Sequence, residues 1–158
     1  MIGYVTVGTN DLPRAARFYD AIAADLGTSR MMEADSYIAW GTPGGGAGVC
    51  STKPFDGNAA TVGNGMMVAL EAKDNAQVDR VYALALANGG SDEGAPGRRG
   101  GGFYAAYFRD PDGNKLNVFC MPEGGAEPDD ARAAAPRRAS HPPRHGCYRD
   151  PAARVSAR

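Results

Sequence analysis

Metal binding and proton transfer rely mainly on histidine, cysteine and carboxylate side chains, and this sequence has only two histidines and three cysteines. Both histidines, His141 and His145, lie near the C-terminus beside Cys147, in a segment rich in Ala, Arg and Pro. Three such groups on a floppy segment make a poor specific metal site. The other cysteines, Cys50 and Cys120, stand alone. An odd cysteine count without C-x-x-C spacing argues against a disulfide framework or a zinc ribbon, so both are expected as small buried core residues. The run GAPGRRGGG, Gly94 to Gly102, carries two adjacent cations. It reads as a mobile loop, either simply solvent-exposed or one from which Arg98, with Arg99, reaches an anionic group on a ligand at the cavity mouth. It lacks the GxxxxGK[ST] pattern of a phosphate-binding loop, and Gly44 to Gly46 reads as a turn.

These groups must be positioned by ordinary elements. At 158 residues, 43% hydrophobic and with a formal charge of −1, the chain fits one soluble globular domain followed by an extension. Near-neutral charge gives no electrostatic reason to expect nucleic acid or a membrane surface as partner. No apolar run approaches the roughly 20 residues of a membrane span, and no basic-then-apolar leader opens the chain, so a cytoplasmic location is expected.

Ile2 to Gly8 alternates as a strand. Asn10 and Asp11 offer a helix cap, and Leu12, Ala15, Phe18, Tyr19, Ile22 and Leu26 form an apolar stripe that Gly27 ends. Arg30 to Ala34, Ser36 to Gly41 and Ala47 to Cys50 read as three short strands. Residues from about 52 to 63 have the composition of a linker. Near the other end, FYAAYFRDPDGNKLNVFC reads as two strands, Phe103 to Phe108 and Lys115 to Cys120, joined at Asp110-Pro111-Asp112-Gly113-Asn114.

The second half repeats the first. One fixed offset lays Tyr4-Val5 on Met67-Val68, Asp11 on Asp74, Arg17 on Arg80, Tyr19 on Tyr82 and Gly27 on Gly90. A slightly longer offset lays Thr42-Pro43-Gly44-Gly45 on Asp110-Pro111-Asp112-Gly113. The expected fold is α+β, with two βαβββ modules at about 1–51 and 64–121. Their strands form a curved mixed sheet around a shared cavity, with the helices on its outer face. Residues 122–158 are expected to be a disordered tail.

The run YVTVGTNDLPRAARFYDAIAADLG, with YFRDPDGNKLNVF near the end of the repeated frame, resembles the vicinal oxygen chelate superfamily of glyoxalase I, bleomycin-resistance proteins and extradiol dioxygenases. The resemblance covers residues 1 to about 121. It implies metal ligands, typically His, Gln or Glu, at points that fall here on Tyr4, on or near Val49, on Met67 and on Asn117. None is a good ligand for a divalent metal, so no metal and no cofactor is expected.

If Tyr4 and Met67 face the cavity, strand parity turns Thr6, Ala69 and Glu71 the same way, with Tyr107, Asn117 and Phe119 on the terminal hairpin. Tyr37 joins them, or Trp40 if a bulge shifts its strand. The expected ligand-binding set is Tyr4, Tyr37, Trp40, Met67, Tyr107, Asn117, Phe119 and Arg98. The function expected is metal-independent binding of a small apolar or aromatic molecule between the modules, in a protein that the resemblance implies is a homodimer. Two alternatives stay open. One is a glyoxalase-like lyase, isomerase or dioxygenase relative with non-standard site residues, Glu71 or Tyr4 serving as base. The other is a cavity simply filled by its own aromatic side chains.

Overall fold

A computed structural model describes residues 2–100 and 102–121. The expected tail, with His141, His145 and Cys147, lies outside the described residues. The first module runs β1 (Tyr4–Gly8), α1 (Leu12–Asp25), β2 (Ser29–Glu33), β3 (Tyr37–Gly41) and β4 (Gly48–Thr52). The second runs β5 (Val68–Glu71), α2 (Asn75–Ala87), β6 (Ser91–Arg98), β7 (Tyr104–Arg109) and β8 (Lys115–Cys120). The fold is α+β and the module is repeated, as the sequence repeat implies. Each module has its own four-stranded mixed sheet, ordered β1-β4-β3-β2 and β5-β8-β7-β6. Only β1–β4 and β5–β8 are parallel. The sheets are not hydrogen-bonded to one another, so β1 and β5 are both edge strands.

Local chemistry starts and stops the helices where the sequence places them. Asp11 caps α1 by accepting from the Arg14 backbone N–H at 2.9 Å, and Pro13 occupies its first turn. Asp74 caps α2 by accepting from Gln77 N–H at 2.7 Å, while Gln77 Oε1 reaches back to Lys73 N–H at 2.8 Å. Gly27 leaves α1 at φ 73°. After α2 the left-handed residue is Gly89, at φ 92°, and not Gly90, the repeat partner of Gly27. Gly90 serves close approach instead. A Cβ there would lie 2.7 Å from Arg109 O and 3.0 Å from the Phe18 ring.

One core spans both modules. Phe18 and Tyr19 of α1 meet at 5.1 Å edge to face, Phe18 touches Phe108 of β7, and Tyr19 lies 5.0 Å from Trp40. Leu116 and Val118 of β8 and Val78 and Val81 of α2 are fully buried in the same cluster. Polar bonds fasten the modules further. Gln77 Nε2 donates to Asp25 O at 2.5 Å, and Arg80 pairs with Asp25 at 2.9 Å.

The Gly94–Gly102 loop needs correcting. Residues up to Arg98 belong to β6, which pairs with β7 through two register shifts, between Asp92 and Gly94 and between Gly94 and Gly97. Its Gly and Pro content conceals a strand because an edge strand tolerates both at bulges. Ser51 and Thr52 likewise extend β4 beyond the expected Cys50.

Candidate functional site

The terminal hairpin positions the strongest polar group. Asp110, Pro111 and Asp112 turn the chain, with Gly113 N–H donating to Asp110 O and Gly113 at φ 91°. The Asp110 carboxylate is buried and accepts from Asp112 N–H, Asn114 N–H, Asn114 Nδ2 and the Tyr19 hydroxyl. Burial, followed by the Asp110 charge, pushes the Tyr19 hydroxyl well above the usual phenol range. Asp112 accepts from Thr9 Oγ1 at 2.6 Å, Asn10 N–H at 2.9 Å and Arg14 at 2.8 Å. The turn is therefore held by the first module, which fixes the register of β8 relative to the helices.

Along β8, Leu116, Val118 and Cys120 enter the helix-side core. Alternation places Lys115, Asn117 and Phe119 on the opposite face, where no helix packs. Asn117 stands directly across from Tyr107 on β7 and from Ala69 on β5. It is 3% exposed, yet its Oδ1 has no hydrogen-bond partner among the described residues. Arg99 lies 5.6 Å and Lys115 Nζ 5.8 Å from the Tyr107 ring centre. Glu93 pairs with Lys115 at 2.9 Å and with Arg109 at 2.5 Å. Lys115 and then Arg109 hold the Glu93 carboxyl below the usual range. Phe103 and Phe119 meet edge to face at 6.2 Å.

The structure distributes the expected ligand-binding set over several places. Asn117, Tyr107 and Phe119 come together on the free face of the second sheet. Tyr4 and Tyr37 belong to the free face of the first sheet, where Tyr4 is 52% exposed. Trp40 instead faces α1. Its indole N–H donates to Asp20 at 2.8 Å, because the bulge falls on β2, between Arg30 and Met32, and leaves the parity of β3 intact. Trp40, Met67 and Glu71 border an apolar cleft of about 500 Å³ between α1 and the β5 edge. Arg98 stands opposite Tyr104, whose hydroxyl donates to Asp79 of α2, and so lies on the helix side. Glu71 is exposed at the end of β5.

Sequence reasoning missed Arg99, Lys115 and Glu93 as one cluster, because the strand character of β6 was hidden. It also missed Met31, whose Cε lies over Gly41 and Gly48 on the free face of the first sheet. The only signal for Met31 is the pair of glycines that leaves room for it.

The ligand points implied by resemblance do not form a metal site. Val49 pairs with Val5 and Trp40 and packs against the helix-side core. Tyr4, Met67 and Asn117 supply a phenol, a thioether and a neutral amide. Among the described residues no group of three or more His, Cys, Asp or Glu side chains could hold a metal ion. The donor set does not fit a divalent cation.

Residues 1–118 match the family model of the glyoxalase/bleomycin resistance protein/dioxygenase superfamily. A glyoxalase/bleomycin resistance protein from Albidiferax ferrireducens T118 is 37% identical, with a TM-score of 0.71 over 77% of this chain and 99% of that one. The chain belongs to this superfamily. A glyoxalase-related enzyme from Fulvimarina pelagi shares the fold at 20% identity, with a TM-score of 0.62 over 76% of this chain and 87% of that one. The lactoylglutathione lyase of Agrobacterium tumefaciens shares it at 21% identity, with a TM-score of 0.56 over 76% and 92%. No curated protein matches the chain. No helix of the described residues is long and apolar enough to cross a membrane.

Proposed function

We propose that this protein binds a small aromatic molecule without a metal, on the free face of the second sheet and anchored by Asn117. The unpartnered Oδ1 of Asn117 carries the reading. A buried carbonyl oxygen without a donor costs about 1–3 kcal/mol, and a ligand N–H or O–H that displaces the side chains covering this oxygen recovers that cost. Tyr107 and Phe119, on the same face, supply apolar aromatic surface for a ring. A thermal-shift screen of the full chain against aromatic compounds, with and without a chelator, tests this. Ligand binding to the native state raises stability, so the expected result is a set of hits unchanged by the chelator and weakened in Asn117→Leu. Hits that vanish with the chelator, or that ignore Asn117→Leu, contradict it.

The same proposal includes a homodimer. β2 and β6 carry edge protection in the form of charges, bulges and Pro96, whereas β1 carries none and β5 only the charge of Glu71 at its end. Around the β1 and β5 edges, Ile2, Tyr4, Met66 and Met67 are 43–60% exposed and border or adjoin the apolar cleft. A second copy covers these edges. Light scattering is expected to give twice the chain mass, and Met67→Lys to shift it towards one; a wild-type monomer at working concentration refutes the dimer.

A further inference from the structure

Three features of the free face of the second sheet narrow the class of molecule that it can hold. The first is charge. Arg99, Arg109 and Lys115 all belong to this face, and Glu93 pairs with two of them, Arg109 and Lys115. Glu71 stands on the same face opposite Phe119, two residues beyond Asn117 on β8. Arg99 pairs with no carboxylate among the described residues. Its guanidinium donates only to the backbone, to Ala95 O at 2.6 Å and Arg98 O at 3.3 Å. The rest of its planar fork remains free, and that geometry suits a carboxylate better than any neutral acceptor.

The second feature is Tyr107, which presents a ring to both Arg99 and Lys115. An aromatic ligand stacked beside it meets apolar surface and a cation together, and a cationic ligand meets repulsion from the same two groups. The third is the Asn117 oxygen directly across from Tyr107, buried and lacking a donor. A neutral hydrocarbon ring leaves both Arg99 and Asn117 unanswered.

We propose that the site takes an aromatic carboxylate that also carries a hydroxyl or amino group. The carboxylate meets Arg99, the ring lies against Tyr107, and the hydroxyl or amino group donates to Asn117 Oδ1. The proposal rests on the binding role argued above and specifies its ligand class.

Calorimetric titration of the full chain with four matched probes tests it. These are 4-hydroxybenzoate, benzoate, 4-hydroxybenzamide and 4-hydroxybenzylamine. The first is expected to bind about tenfold more tightly than each of the others, each of which lacks one complementary group or reverses the charge. Arg99→Gln, a substitution at a partly exposed residue outside the core, is expected to remove the preference for the acid over the amide. Asn117→Leu is expected to equalise 4-hydroxybenzoate and benzoate. Binding of the amide or the amine as tightly as the acid overturns the anionic class and leaves the binding role intact. An acid preference that survives Arg99→Gln overturns the assignment of Arg99. No binding by any probe overturns the class, and failure of the broad aromatic screen as well overturns the binding role.

Discussion

Replacing Tyr19 with Phe removes one oxygen from the joint between the two modules and leaves the rest in place. The ring still packs against Phe18 and Trp40, at 5.1 and 5.0 Å. What is lost is the 2.8 Å hydrogen bond from the Tyr19 hydroxyl to Asp110, between residues 2% and 3% exposed. A hydrogen bond to a charged group contributes about 1.5–3 kcal/mol. Asp110 keeps three other donors, from Asp112 and Asn114, so the expected cost is about 2 kcal/mol. Urea denaturation at pH 7 should show a lower midpoint with an unchanged slope, and the melting temperature should fall by about 4–8 °C. Combined with Asp110→Asn, the double-mutant cycle should return a coupling of at least about 1 kcal/mol, since contacting residues do not add. A Tyr19→Phe change within about 0.5 kcal/mol of wild type, or strictly additive effects, refutes the view that this bond fastens the turn to α1.

Gly90→Ala sets a Cβ against Arg109 O, Ala85 O and the Phe18 ring, two of them backbone atoms that cannot yield cheaply. A loss of about 1–3 kcal/mol in urea denaturation is expected, whereas Gly100→Ala, which meets nothing within 4 Å, should change little. Asp20 predicts a pH effect. Arg30, bonded at 2.6 and 2.9 Å, and then Trp40 hold its carboxyl below the usual range, outweighing burial. A depressed folded pKa gives stability that is complete above the unfolded value, about 3.9, and is lost as pH falls below it. Asp20→Asn should therefore flatten the acid limb of a stability-versus-pH curve, and an unchanged limb contradicts the assignment.

Local and repeated features were legible in the sequence. The caps at Asp11 and Asp74, the terminal hairpin and the alternation that separates Asn117 from Leu116 and Val118 all follow from neighbours within a few residues. The module repeat then supplied the architecture. Features that depend on distant partners or on irregular backbone were not legible. The Tyr19–Asp110 and Arg14–Asp112 bonds join residues more than 90 positions apart, with no pattern to announce them. β6 escaped because Gly94, Pro96 and Gly97 are turn formers that an edge strand with bulges accepts. That concealment also left Arg98 and Arg99 grouped together, since one residue along a strand moves a side chain to the other face. Trp40 escaped as a core residue because the bulge sits on β2 and not on its own strand.

Metal content is the most direct test of metal-independent ligand binding. The full chain, with His141, His145 and Cys147 replaced by Ala so that the C-terminal segment cannot capture ions, is treated with a chelator and titrated with Zn, Ni and Fe. A 4-hydroxybenzoate titration follows each state. Unchanged ligand affinity and no tightly held stoichiometric metal is the predicted result. One equivalent of tightly bound metal, required for ligand binding and lost on substitution of Tyr4 or Asn117, contradicts it.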